Sequence, residues 1–433
     1  MSGGGSIDKV KPDFRTRRAA QLGLTALAVR PPRSRRTSIP VFFAGWLAGE
    51  LAPQLLALTA ADTVQHVVRR GLRDRGDRAG LALAALSAVG LGSVIATSAR
   101  ARGEVESALT EALGPDYAGR LPHPPTPQDL ATPWGQIVLP FRSRDPEVVR
   151  ERNIAYAPGG KRFLLDVFRP REPVHEAPVL LQIHGGAWTI GNKEEQGQPL
   201  MRHLARRGWV CVAINYPLAP AHRWPAHIVA AKRALAWIRE NIASYGGDPR
   251  FVAVTGGSAG GHLAALLALS QHDPALQPGF TEADTSVQAC VPHYGVYDIA
   301  ATSGSEDSRY RLESLLAPRV FGPDLDPETH LDDYLAASPL NRVAEDAPPF
   351  FVIHGSHDSL VPVAEAREFV ARLREKSREV VAYAELAGAQ HAFDVFPSIR
   401  SAHVVRGVER FLEHTHRAWA DDQELTPARA KNS

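Results

Sequence analysis

A chain of 433 residues with 44% hydrophobic and 22% charged residues, and with 35 glycines and 34 prolines, has the make-up of a large globular protein. A disulfide-stapled mini-domain is excluded, and the two cysteines, Cys211 and Cys290, match no metal-ligand spacing and leave the redox compartment undecided. The net charge of +2 conceals an asymmetry: residues 1–38 carry nine Lys or Arg against Asp8 and Asp13, net +7, which leaves −5 for the remainder and no basic folded surface of the kind a nucleic-acid enzyme needs.

In chain order, the basic stretch 1–38, with Gly3 to Gly5 and Pro31-Pro32, reads as a disordered tail. Residues 39–113 form an apolar helical region that reads as a membrane anchor. Within it, 79–99 has no ionisable side chain over 21 positions, enough to cross the roughly 30 Å hydrocarbon layer as a helix. The run 41–61 is a weaker candidate, because Glu50, Pro53 and Gln54 interrupt it. Neither run has the form of a cleaved leader. Five arginines between the runs (Arg69, Arg70, Arg73, Arg75, Arg78) and only Arg100 and Arg102 after the second favour one crossing by 79–99, with the downstream domain exported from the cytoplasm. The competing arrangement is a helical hairpin packed on a soluble cytoplasmic protein.

Residues 114–149 contain Pro115, Pro122, Pro124, Pro125, Pro127, Pro133, Pro140 and Pro146, and read as a linker or irregular cap segment. From 150 to 420 short apolar runs (179–186, 209–216, 251–258, 287–295, 350–356, 380–386) alternate with helical patterns. One of these is Ile228, Ala231, Leu235, Ile238 and Ile242 behind Pro225. Near-continuous apolar strands separated by helices predict a largely parallel sheet covered on both faces. Residues 421–433 read as a disordered tail.

The strongest motif is Gly256-Gly257-Ser258-Ala259-Gly260-Gly261, a G-x-S-x-G sequence that directly follows the strand 251–255 and opens the run HLAALLALS. A serine on such a strand-to-helix turn projects its hydroxyl, and Gly256 and Gly260 allow neighbouring segments to approach. A serine becomes a nucleophile only when a base takes its proton and a carboxylate orients that base. Asp358, in HGSHDSLVP, and His391, in GAQHAF, each follow a predicted strand and so reach the same sheet edge as Ser258. Asp358 would serve equally as a helix-capping loop residue and His391 as a surface histidine. His184-Gly185-Gly186-Ala187-Trp188 closes another strand, where small residues let backbone N–H groups face a reacting carbonyl, as would the N–H of Ala259; a plain turn would use the same residues.

These motifs, together with YPLAPAHRWPA at 216–226 and YGGDPRFVAVTGGSAGGH at 245–262, resemble the hormone-sensitive-lipase group of α/β-hydrolases, in particular membrane-associated actinobacterial carboxylesterases and lipases, over residues 130–418. The resemblance implies an α/β-hydrolase fold with a mostly parallel eight-stranded sheet, helices on both faces and a cap. It implies a serine hydrolase of carboxylic esters that works through an acyl-serine, with no metal or cofactor. Ser258, Asp358 and His391 become nucleophile, acid and base, and Gly186, Ala187 and Ala259 the oxyanion donors, with His184 and Gly185 shaping the loop. The expected partners are a small-molecule or lipid ester and, through 79–99, membrane lipid. An aryl-formamidase or other amide hydrolase would share the same triad, and a non-catalytic receptor or adhesion protein the same fold. The cap is expected from the N-terminal region and an insertion at 299–345, with 299–345 and 114–146 lying over Ser258 and Trp188 and Trp224 lining the entrance. The family's sheet order separates the strands of Cys211 and Cys290 by two others, so both should be free, buried thiols. Two departures from the family, at three positions, stand out: the usual third glycine is Ala187, and the Arg and Glu of a usual buried pair are Pro217 and Ala221.

Overall fold

The computed structural model describes residues 13–32, 37–141 and 145–430, with side chains through 424. Eight strands form one sheet: β1 (Val148–Ala155), β2 (Leu164–Pro170), β3 (Ala177–Ile183), β4 (Val210–Ile214), β5 (Gly247–Gly257), β6 (Ala289–His293), β7 (Phe350–Gly355) and β8 (Val381–Leu386), in the order β1-β2-β4-β3-β5-β6-β7-β8. β2 is antiparallel to both its neighbours, β1 and β4, and every pair from β4–β3 to β7–β8 is parallel. This is the expected α/β-hydrolase sheet.

Alternation along each strand sorts its side chains into two cores. Val179, Leu181, Ile183, Val212, Val254 and Val352 face one layer, and Leu180, Cys211, Ala213, Ala253, Val291 and Phe351 face the other. Both faces are dry, which is why the strands read as unbroken apolar runs. The helices Ala226–Asn241, Ala259–Ala268 and Val363–Lys376 cover the first face; Gln198–Arg206 and the long Ile399–Ala430 cover the second. Cys211 and Cys290 are free and buried, on β4 and β6, with β3 and β5 between them.

The N-terminal region is five helices: α1 (Phe14–Val29), α2 (Ser38–Glu50), α3 (Ala52–Arg70), α4 (Arg75–Ala99) and α5 (Ala101–Leu113). The expectation of a disordered tail over 1–38 fails for 14–29. Asp13 caps α1 by accepting from the Thr16 N–H at 2.7 Å, Phe14 stacks on His66 at 4.0 Å, and Arg17 and Arg18 both pair with Asp62 of α3 at 3.0 Å. The charge excess suggested a solvated tail, whereas two of those charges have a partner 44 or more residues away in sequence. Residues 1–12 and 33–36 lie outside the described residues. At the other end, the helix from Ile399 continues through 421–430, where a second tail was expected.

The run 79–99 lies within α4, and one stripe of it packs on protein. Gly80, Ala84, Ser87, Leu91, Val94 and Ser98 recur at spacings of 4 and 3 and are buried, and Gly80 and Gly90 lie where a Cβ would strike Phe14 and Thr25 of α1. An Ala-rich helix without charges hides this stripe from hydropathy alone. Arg75–Leu113 is long and apolar enough to cross a membrane, and 28% of its most apolar window is buried in protein. Both α2 and α5 sit on the catalytic layer. Val105 and Leu109 of α5 belong to the second core, and Glu50 at the end of α2 is buried against Arg400 (2.7 Å) and Ser398 (2.6 Å). The chain therefore leaves and returns on one side, as an α3–α4 hairpin.

Both members of the Glu50–Arg400 pair are fully enclosed, so removing one strands the other's charge. Glu50→Ala or Arg400→Ala alone should cost about 3–5 kcal/mol, and Glu50→Leu/Arg400→Leu together much less than twice that, by urea denaturation of each variant.

Candidate active site

The sheet and its loops gather the candidate residues at the carboxyl edge of the parallel strands. β5 runs into Ser258, whose backbone is held at φ 58°, ψ −122°, a conformation that a non-glycine residue adopts only when its surroundings impose it. Here two contacts impose it. The Ser258 N–H donates to the His293 carbonyl at 3.0 Å, and the helix Ala259–Ala268 is pressed against the end of β3. A Cβ on Gly256 would stand 2.5 Å from the Gly260 backbone, and one on Gly260 would overlap the Ile183 carbonyl oxygen. Ala259 occupies the first turn of that helix, where a backbone N–H has no intrahelical acceptor.

Asp358 and His391, 33 residues apart, meet: His391 Nδ1 lies 2.6 Å from Asp358 Oδ2. The other carboxylate oxygen accepts the Leu360 and Val361 N–H groups at 2.9 and 2.8 Å. Burial would push the Asp358 carboxyl upward, but the His391 imidazole and the hydrogen bonds from His354 and His391 outweigh it and hold the group well below the usual carboxylate range. Asp358 therefore stays ionised. The loop carrying His391 is fixed by Gln390, whose Oε1 accepts both the Ser359 and the His391 N–H at 2.8 Å. Tyr294 packs its ring 4.7 Å from that of His391.

The loop after β3 takes a left-handed path. Gly186 has φ +117°, where a Cβ would collide with the Ile190 carbonyl, and Ala187 and Trp188 follow at φ 51° and 58°. Gly185 donates to Gln196 Oε1 at 2.7 Å, and the Tyr216 hydroxyl donates to the His184 carbonyl at 2.9 Å. Burial drives the His184 imidazole down to about 4, so it is neutral, and it stacks on Tyr216 at 4.3 Å. The methyl of Ala187 is accommodated, at the cost of a strained backbone. Around Pro217 and Ala221, which stand in place of the family pair, the chain is tied by backbone bonds from Ala219 N–H to the Trp188 carbonyl and from Trp224 N–H to that of Val320, both 2.9 Å.

Two placements differ from expectation. Trp188 and Trp224 do not line an entrance but are buried at 2% and 8% exposure around a small apolar cavity with His227, His262, Leu316 and Phe321. Trp188 Nε1 donates to His262 Nδ1 at 3.1 Å, which leaves His262 Nε2 as the donor to the Ala337 carbonyl at 2.8 Å. The Trp188 indole N–H thus has its partner inside, and the Trp224 ring stacks on Phe321 at 5.6 Å. The insertion 299–345 contributes Leu316, Val320, Phe321 and Ala337 to the lining of that cavity. In segment 114–146, however, Thr132 meets His403 and Ala131 meets Arg406 on the helix Ile399–Ala430, while Phe141 packs on Phe396 at 5.3 Å. The element over the histidine is α2: Phe42 meets the His391 ring edge-on at 5.8 Å, and Ser359 Oγ donates to the Ser38 carbonyl at 3.4 Å.

Sequence reasoning missed Phe42, Gln390, His354 and the pair His293–Asp394, which with the Tyr294 hydroxyl on the same carboxylate forms a buried network behind Ser258. Asp394 lies three residues past His391, and His293-Tyr294 ends β6. For His293 and His354, a position at the end of a strand was the available signal.

A family model described as BD-FAE matches residues 165–373. The chain is 45% identical over 353 residues, 80% of each chain, to "Probable carboxylic ester hydrolase LipM" of Mycobacterium tuberculosis. The chain is a member of the hormone-sensitive-lipase group of α/β-hydrolases, a family of esterases. It is also 46% identical to Esterase LipQ of Mycobacterium tuberculosis, over 71% of this chain and 73% of that one. Esterase B of Lactobacillus rhamnosis shares the fold at TM-score 0.55 and 19% identity, covering 74% of this chain and 99% of its own.

The close approach at Gly260 is backbone on backbone, so no side chain can yield. Gly260→Ala should lower the midpoint of urea unfolding by the equivalent of about 3 kcal/mol or more, or prevent soluble expression, whereas Gly103→Ala, on a helix surface with open space at its Cβ, should be neutral or stabilising.

Proposed function

We propose that the chain hydrolyses carboxylic esters through an acyl-enzyme, with Ser258 as nucleophile, His391 as base and then acid, and Asp358 as the residue that orients it. The observation that carries this reading is the 2.6 Å contact of His391 Nδ1 with a permanently ionised Asp358, at the sheet edge where Ser258 is held in a strained turn. A carboxylate only accepts, so Nδ1 carries the hydrogen and Nε2 keeps its lone pair. Nε2 takes the Ser258 proton as Oγ bonds to the ester carbon, and returns it to the departing alkoxide as the C–O bond breaks. Water, deprotonated by the same nitrogen, then releases the acid and regenerates the serine. The N–H groups of Gly186, Ala187 and Ala259 are assigned to the carbonyl oxygen as it gains negative charge.

Ser258→Ala should reduce p-nitrophenyl ester turnover by several orders of magnitude with an unchanged unfolding curve, and a fluorophosphonate should label Ser258 alone. Asp358→Asn should depress kcat strongly by favouring the wrong imidazole tautomer. Because Asp358 remains charged across the acid range, the rate should fall on the acid side as an imidazole takes up a proton. A flat profile down to about pH 4, or a fully active folded Ser258→Ala, overturns the assignment. Running the ester series beside an amide separates esterase from amide-hydrolase action.

Lipid contact is the second part of this reading, now assigned to the α3–α4 hairpin rather than to a crossing by 79–99. Its support is an outward face with Leu58, Val64 and Val68 of α3 and Leu86 and Val89 of α4 exposed, two of them above 70%, next to the arginines at 69–78. Wild-type protein should float with vesicles containing anionic phospholipid, and Val68→Ser/Val89→Ser should not. Equal recovery in the soluble fraction for both proteins supports the soluble alternative.

A further inference from the structure

The carboxylate of Asp358 is shared by two histidines, and the proposed mechanism uses one. His354 leaves the end of β7 four residues before Asp358, with its ring wholly buried. Its Nε2 lies 2.9 Å from the Val361 carbonyl and 3.3 Å from Asp358 Oδ2, the same oxygen that faces His391 Nδ1. A carbonyl cannot donate, so His354 Nε2 carries a hydrogen, and that hydrogen sits between the carbonyl and the carboxylate.

We infer that His354 is a positioning residue for the triad: its Nε2–H pins the Asp358 carboxylate in the rotation that presents Oδ2 to His391, and withdraws part of the negative charge that would otherwise hold the imidazolium. The inference rests on the proposed triad. With Leu360 and Val361 holding Oδ1, the four donors leave the carboxylate no free rotation. The Val361 carbonyl in turn fixes the His354 ring, so the loop 358–361 closes on itself around the carboxylate.

The charged neighbours define the sign of the effect. Asp358 faces His354 and His391, with Tyr294 packed against His391 from the end of β6. His354 also feels Glu365 of the helix Val363–Lys376 and Glu385 of β8. Glu365 is already bound by Arg311 and the Tyr297 and Asp298 N–H groups, and Glu385 by Arg367 and Tyr383. Asp394, the remaining nearby carboxylate, is taken by His293 and Tyr294. Burial pulls the His354 imidazole toward the neutral form, and Asp358 leads the groups that outweigh it, moving it upward overall. Neutral or cationic, the ring removes charge from Oδ2. Its loss must therefore strengthen the grip of Asp358 on a protonated His391 and move the acid limb of activity to higher pH.

The test compares wild type with His354→Phe, which lacks the N–H, and His354→Gln, whose side-chain amide can donate from a similar position. The kcat/KM pH profile for p-nitrophenyl acetate is read beside an unfolding curve for each. His354→Phe should lower kcat about 10-fold or more with KM little changed, and raise the acid-limb midpoint by about half a pH unit or more. His354→Gln should return the midpoint most of the way. If His354→Phe does not fold, His354→Gln and low-field proton NMR of the wild type carry the test. The His391 Nδ1–H resonance should shift in His354→Gln, and a second exchange-protected ring N–H should be assigned to His354. An acid limb and a His391 resonance unmoved in every folded variant, or a His354 Nε2 without a proton, overturns the inference. Activity that survives Ser258→Ala would instead overturn the triad itself.

Discussion

The approach of the helix Ala259–Ala268 to the end of β3 is the constraint on which the rest of the site depends. Three backbone segments, at Ile183, Gly256 and Gly260, converge at separations that leave no room for a Cβ. That convergence bends the chain sharply at Ser258 and directs the first helical N–H groups outward. It also brings the loop at 184–188 beside the serine, since a Cβ on Gly185 would stand 3.1 Å from that of Ser258. Backbone contacts of this kind cannot relax by a rotamer change, so the strain at Ser258 is held by the whole sheet rather than by a local bond.

Around this rigid corner the polar groups are arranged in closed sets. Asp358 accepts from two backbone N–H groups and faces two histidines; Asp394 takes His293 and Tyr294; Glu365 takes Arg311 and two backbone N–H groups. Each buried carboxylate thus has its hydrogen-bonding capacity met by donors at fixed positions. The sets link the ends of β6, β7 and β8 to the loops that follow them. Tertiary order in these loops comes from charge and hydrogen bonding as much as from apolar contact.

Much of the sheet was legible because its strands are buried on both faces and so appear as unbroken apolar runs, of which FFVIHG at 350–355 is the clearest. The antiparallel β1 and β2 were not separately visible, since β1 alternates with Arg150, Glu151 and Arg152, the first of which pairs with the buried Asp166 at 2.6 Å. The turn at Ser258 and the loops of Asp358 and His391 could be found from strand ends, because the residues that matter there follow strands directly. Phe42 could not, being more than 340 residues from His391 in sequence. Two signals fell short for the helices before residue 113: the charge excess pointed to a solvated tail over 14–29, and hydropathy counts apolar residues without asking which of them face protein. In α4 the protein-facing side is Gly80, Ala84, Ser87 and Leu91, as apolar as the side facing out.

The burial of Glu50 against Arg400 has a consequence for where this molecule can be divided. By composition the chain separates into an apolar N-terminal part and a hydrolase, and a cut near residue 150 would respect that border. The interface does not. Such a cut would leave the Arg400 guanidinium enclosed without its carboxylate, bare the ring of His391 on the side that Phe42 covers, and remove α5 from beneath β8. From α2 onward the N-terminal helices carry contacts to the histidine loop and the sheet, and a border drawn on composition alone would run through them.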